Sequence, residues 1–153
     1  MRITTKGRYA IRAVLRLANI NSDKPVSIRE LSECEDISAE FLEQIFFRLR
    51  KSGIISSVRG PGGGFKLEKS PSEITILDLF TAVEEGFHLT PCIPDNGYFC
   101  DRETFCSVNN LWLNAYEYVK QYFDSITLDD IINNRLPQID TPKKQGDDAV
   151  IYS

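Results

Sequence analysis

Between residues 37 and 68 the apolar positions change their period twice. Over ISAEFLEQIFFRLRK they fall at Phe41, Leu42, Ile45, Phe46 and Leu49, one face of a helical repeat of about 3.6 residues, which predicts a helix with a buried stripe. Ser38 stands where an N-cap belongs, and Gly53 where the helix should stop, just after two cations, Arg50 and Lys51, that suit its C-terminal dipole. Opposite the stripe lie Glu40, Glu43, Gln44, Arg48 and Lys51, side chains long enough to reach base edges or phosphates. Two short strands follow, residues 54–58 and 64–67, around the turn Arg59-Gly60-Pro61-Gly62-Gly63. Glycines let a main chain approach a phosphate or a narrow groove closely, and Arg59 becomes the natural contact with either. An amphipathic helix alone is ordinarily core, and a glycine-rich turn alone is ordinarily a flexible loop. Their succession at this spacing is what points to DNA.

The rest of the chain fills in around that unit. Residues 7–20 place Tyr9, Ala10, Ala13, Val14, Leu17 and Ala18 on one helical face and Arg8, Arg12 and Arg16 on another. Arginines four apart repel on an isolated helix, so this face asks for phosphates or for the acids of a partner, with a solvated basic face as the plain alternative. Ser27 with Glu30 three residues on forms a capping box for a short second helix. A break near Glu35 and Asp36 then makes residues 27–51 a helix-turn-helix, and the strands make it a winged one. Ile74, Ile76, Leu77, Leu79, Phe80 and Val83 continue as a connecting helix ended by Gly86. Leu111, Trp112, Ala115, Tyr116, Val119, Tyr122 and Phe123 give residues 103–123 one broad apolar face, wider than a small domain needs and suited to dimerisation. Residues 126–136 read as a short closing helix capped by Thr127. The expected organisation is a mainly α chain: a winged helix-turn-helix domain with a two-stranded wing over 1–70, a connecting helix over 71–86, a cysteine loop over 87–106, a dimerisation helix and closing helix over 103–136, and a polar, flexible tail over 137–153.

Charge changes the picture only when it is divided. The formal net charge of −4 over 153 residues argues against nucleic acid, but residues 1–70 hold 13 Lys and Arg against 8 Asp and Glu, leaving 5 and 14 for the remainder. A basic first half and an acidic second half suit a DNA-binding head on a self-associating body. No apolar run is long enough for a membrane span and MRITTKGRYA lacks a signal peptide's apolar core, so the expected place is the cytoplasm, away from membranes. In that compartment four cysteines do not suggest structural disulfides. Cys34, near the helix-turn-helix break, reads as a small buried hydrophobe. Cys92, Cys100 and Cys106 cluster in an irregular segment rich in Pro and Gly, at a spacing poor for structural zinc. Three thiolates there suit a soft metal or an iron-sulfur cluster completed by a ligand from elsewhere, unless the thiols are incidental. A lone histidine, His88, with no organised base or nucleophile excludes a catalytic constellation.

The segments MRITTKGRYA at the N-terminus, Ile37-Ser38, FLEQ at 41–44, LRK at 49–51 and VRGPGGGF at 58–65 resemble the Rrf-type winged-helix regulators of bacteria. The resemblance runs from Met1 to about Asn134, and the 58–65 segment is highly specific. It is greatest to the branch of iron-sulfur cluster regulators. It implies a homodimer on palindromic or semi-palindromic double-stranded promoter DNA, with a loop cluster that tunes affinity or site choice. Carried over by residue, Ser38 and Glu43 match positions that contact bases and backbone, and Arg59 with Gly60 matches the wing contact. Gln44, Arg48 and Lys51 join them as DNA-binding candidates from the polar face. Cys92, Cys100 and Cys106 match the three cluster thiolates.

The fourth ligand departs from the pattern. That branch carries a histidine three residues after its last cysteine, where this chain has Asn109, and the acid that nitric-oxide-sensing relatives draw from a partner's first helix corresponds to Arg8. The spacing of seven then five resembles the iron-responsive branch. Asn109, one of His88, Asp101 or Glu103, or an exchangeable small molecule remain as candidates, and each predicts a labile cluster, [2Fe-2S] ahead of [4Fe-4S]. The expected function is therefore a DNA-binding regulator, not an enzyme, that senses cluster, iron, redox or nitric oxide status. Its rivals are a cluster-free thiol redox switch and a regulator controlled by a partner protein, as in relatives that govern cysteine metabolism.

Overall fold

The computed structural model describes residues 3–20, 24–86, 90 and 105–138. Among them are six α-helices and one two-stranded sheet: α1 (Thr5–Asn19), α2 (Ile28–Glu35), α3 (Ala39–Lys51), β1 (Ile55–Val58), β2 (Gly64–Leu67), α4 (Ile76–Ala82), α5 (Asn109–Asp124) and α6 (Leu128–Ile132). Thr4, Ser27, Ser38, Thr75 and Thr127 each cap a helix start by accepting the backbone N–H three residues on, which satisfies a donor that the helix itself leaves open.

The head is built as its sequence pattern requires. Leu42, Ile45, Phe46 and Leu49 of α3 are buried against Ala10, Ala13, Val14 and Leu17 of α1, Leu31 of α2 and Ile54 and Ile55. Each of the Leu, Ile, Val and Phe side chains contributes about 1.5–3 kcal/mol when removed from water. Between α2 and α3, Asp36 takes a left-handed conformation at φ 52°, and the Ser32 hydroxyl donates to the Ile37 carbonyl at 2.6 Å. That bond fixes the turn at which the second helix of the pair departs. Gly53, with φ 75°, follows α3 as expected.

The wing pairs Ile55 with Leu67 and Val58 with Gly64 in antiparallel register. A contact absent from the sequence pattern anchors it: Val26 and Phe65 exchange both backbone hydrogen bonds, at 2.9 and 2.8 Å, while the Phe65 ring meets Phe46 edge to face. The wing is thus held close to its turn, where Phe65 pairs with Ser57 on one side and Val26 on the other.

Downstream the boundaries differ from the periodicity. Ile74 lies outside the connecting helix, because residues 74 and 76 pair with residues 126 and 128: Ile76 N–H donates to Ile126 and Leu128 N–H to Ile74, both at 2.9 Å. α4 closes at Ala82, four residues before Gly86, because Glu84 turns into the left-handed region at φ 54°. The closing helix α6 is likewise shorter than expected and ends at Ile132, with Asn134 at φ 53°. Ile74, Ile76, Leu79, Phe80, Val83, Ile126 and Leu128 share one core cluster with the head.

α5 begins at Asn109, later than the pattern suggested, and its broad apolar face is two stripes. Tyr116, Val119 and Phe123 pack on the core, with the Phe123 ring edge to face against Phe80 at 5.1 Å. Leu111, Tyr118 and Tyr122 point away and are exposed at 57%, 74% and 39%.

Candidate nucleic-acid interface

At roughly 100° per residue, the outward side of α3 carries Glu40, Glu43, Gln44, Phe47, Arg50 and Lys51, and all six are exposed. Ser38 lies at the start of this face, where its hydroxyl accepts from the Phe41 N–H at 3.3 Å and holds the first turn in place. Glu43 and Gln44 follow one turn later and present acceptor and amide groups of the kind that read base edges.

The wing turn follows α3 in the chain, between β1 and β2. Gly60 and Gly62 adopt φ 106° and 76°, conformations that side chains resist, and the Gly63 N–H closes the turn on the Gly60 carbonyl at 2.9 Å. Arg59 is exposed beside them. Arg50, Lys51, Arg59, Lys66 and Lys69 are all exposed along the last turn of α3 and the wing segment, and such cations suit phosphates.

Arg48 is differently placed. It is partly buried and forms an ion pair with Glu84, beyond the end of α4. That partner and the Coulombic attraction behind it hold the Glu84 carboxyl below the usual glutamate range. Arg48, Lys51, Phe47, Lys69, Asp78 and Glu84 line a groove of about 590 Å³ between α3 and α4.

The neighbouring Glu85 is buried, with 7% of its surface exposed. Its carboxylate accepts from the Thr4 N–H at 2.7 Å and from the Thr4 hydroxyl, at the N-terminal end of α1. It comes so close to Gly7 that a Cβ there would lie 2.7 Å from Oε2. The Glu84 carbonyl accepts from Lys6 Nζ at 3.2 Å. Residues 84 and 85, immediately before the cysteine segment, therefore clasp both α3 and α1. The sequence carried no signal for this, since these contacts join residues 36 to 81 positions apart.

The basic face of α1 also resolves differently from its sequence reading. Arg12 and Arg16 both pair with Glu35 of the same chain, at 3.2 and 3.0 Å, and Arg8 donates to the Thr5 hydroxyl. An acid of its own α2 relieves the repulsion. Cys34 is exposed and not the buried hydrophobe its type suggested, because α2 turns inward only along Ile28, Leu31, Ser32 and Glu35. Cys106 is partly buried just before α5, and its carbonyl accepts from the Asn109 N–H at 3.2 Å. Cys92, Cys100, His88, Asp101 and Glu103 lie outside the described residues, as does the tail beyond residue 138, and among the described residues no group of three metal-ligating side chains occurs.

The model of the Rrf2 family, described as iron-dependent transcriptional regulators, matches residues 3–134. The chain belongs to the Rrf2 family. Within that family it is 41% identical over 135 residues to the HTH-type transcriptional regulator IscR of Pectobacterium carotovorum, covering 88% of this chain and 81% of the relative. Its fold is similar to that of CymR, the global cysteine regulator of B. subtilis, with a TM-score of 0.71 at 28% identity over 88% of this chain and 98% of the other. IscR of T. potens matches with a TM-score of 0.69 at 28% identity over 95% and 94%. The Rrf2 relatives are transcriptional regulators, not enzymes, and the mainly helical winged architecture expected from the sequence is the one they share. No helix of the described residues is long and apolar enough to cross a membrane.

Proposed function

We propose that this Rrf2 regulator acts in the cytoplasm as a homodimer, binding double-stranded promoter DNA through the outward face of α3 and the wing, and that an iron-sulfur cluster held by Cys92, Cys100 and Cys106 adjusts that binding. The observation that carries the DNA reading is that Ser38, Glu43, Gln44 and Lys51 on the outer side of α3, and Arg59 and Gly60 at the wing turn, are all exposed while the inner stripe of α3 is buried. Glu43 accepts from a cytosine amino group and repels phosphate, so it discriminates, while Lys51 and Arg59 hold the backbone.

Dimerisation is supported by α5. Val108, Leu111, Ala115, Tyr118 and Tyr122 alternate at three and four residues, the spacing of a helix-pairing seam, and four of the five are exposed. A second copy covers such a seam and sets two reading helices on two half-sites.

The donor set fits a cluster. Three thiolates match the soft-ligand preference of iron-sulfur centres, and Cys106 lies beside the N-terminus of a sixteen-residue helix, where a negative charge is favoured. Asn109 is one turn on and is the described candidate for a weak fourth ligand. When bound, the cluster supplies one-electron redox chemistry. The chain's own contribution is the clasp that precedes the loop: rearrangement of residues 87–106 bears on Glu84 and Glu85, and through them on Arg48 of α3 and Thr4 of α1.

The test is the iron and sulfide content of anaerobically purified protein beside Cys92→Ala, with operator binding measured for both. About two irons per chain, lost in the variant together with a change in operator affinity, is the expected result for [2Fe-2S], and about four would signify [4Fe-4S]. An iron-free protein that still binds DNA would overturn the cluster reading. The cluster-free thiol switch would then take its place, or control by a partner protein, which the fold similarity to CymR keeps in view.

A further inference from the structure

The outward face of α3 contains one residue that its polar pattern does not account for. Phe47 is 59% exposed, while its neighbour Phe46 is fully buried. The helical period places Phe47 almost opposite the midpoint of Leu42, Ile45, Phe46 and Leu49, among Glu40, Glu43, Arg50 and Lys51. The ring is not among the side chains packed on the core. The guanidinium of Arg50 stands over it at 5.9 Å from the centroid, and Arg50 Nη1 lies 3.4 Å from the Ser57 hydroxyl of β1. A cation tied to the wing thus flanks one side of an aromatic ring on the face that meets DNA.

We propose that Phe47 is a specificity-determining residue that reads thymine by apolar contact with its C5-methyl group in the major groove. The proposal rests on the assignment of α3 as the reading helix. Among the four bases only thymine offers an apolar group in that groove, and an aromatic side chain is one of its known partners. Arg50 and Lys51 beside Phe47 favour the approach of a polyanion, while Glu40 and Glu43, also beside it, repel phosphate, so the ring meets base edges and not the backbone. Glu43 and Phe47 are four residues apart, about 6 Å along the helix axis, or about one to two base-pair steps at 3.4 Å per step. Phe47 therefore selects thymine one or two steps from the base pair whose cytosine Glu43 selects.

The experiment is selection from random duplexes by the purified full-length protein and its Phe47→Ala and Glu43→Ala variants, followed by replacement of each thymine in the selected duplex by deoxyuridine. Deoxyuridine removes the methyl group alone. At one position in each half-site, wild-type binding should weaken about fourfold, the worth of one methyl-sized apolar group, and Phe47→Ala should lose both that sensitivity and the thymine preference. Phe47→Ala selecting the same sequence with the same deoxyuridine profile would overturn the proposal, provided that Glu43→Ala changes the selection. If neither variant changes it, α3 is not the reading helix and the underlying assignment fails too. Unchanged selection with an altered association state of Phe47→Ala would place the ring in a protein contact and overturn it equally.

Discussion

α3 and α5 are both amphipathic, thirteen and sixteen residues long, yet α3 buries Leu42, Ile45, Phe46 and Leu49 to 1% exposure or less, and no residue of α5 is fully buried. The difference lies in what each helix meets within one chain. α3 is enclosed by α1, α2 and the strands, so its inner stripe is complete and its outer face is free for a ligand of another chemistry. α5 has the core on one side only. Its second apolar stripe, with Leu111, Tyr118 and Tyr122 exposed, finds no cover among the described residues. The head is finished by folding, whereas the long helix is left for the proposed second copy to finish.

The largest expected effect falls on the enclosed helix. Phe46→Ala should destabilise the fold by about 3–5 kcal/mol, since it leaves a cavity beneath Phe65 and the wing. Thermal or urea unfolding would read this loss, and the same truncation at Tyr118 should leave the chain's own folding nearly unchanged. A next, more selective effect falls on the seam. Leu111→Asp with Tyr118→Asp should yield a folded monomer in sedimentation velocity, and operator affinity should fall by about a hundredfold, as linked half-site binding is lost. A variant that stays dimeric would break the comparison outright.

The smallest effect concerns the clasp by which the segment after α4 holds α3. The Glu84 carboxyl lies below its ordinary value of 4.5 because of its hydrogen bond and attraction to Arg48. A depressed carboxylate contributes stability that is present above the ordinary value and lost as pH falls through the depressed one. Glu84→Gln should therefore unfold slightly earlier than wild type at pH 7, and the two should converge in acid below pH 4.5. Because the pair is exposed, a difference as large as that of Phe46→Ala would contradict this account.

The head was legible in the sequence because its signals are local. Ser27, Ser38 and Gly53 mark helix ends, the spacing of Phe41 to Leu49 marks a face, and four glycines within residues 60–64 mark a tip. What escaped depends on contacts between distant residues. Ile74 is apolar at a helical spacing but belongs to a pairing with residues 126–128, and the exposure of Cys34 follows from how α2 is rotated. Arg48 belongs by its spacing to the polar face, but its partner lies 36 residues away. Phe47 was hidden by its neighbour: in a Phe-Phe pair on a helix, the period decides which ring goes in and which goes out.

Since Ile76 and Leu128 hydrogen-bond across to Ile126 and Ile74, the chain leaves the head and re-enters it through a single doorway. Everything between, including the segment that carries the cysteines, is an excursion whose ends are already joined. The entropy of closing such an excursion grows slowly, about 0.6 kcal/mol for each doubling of length. A segment joined in this way can therefore be lengthened, shortened or re-spaced at little cost to the head that closes it.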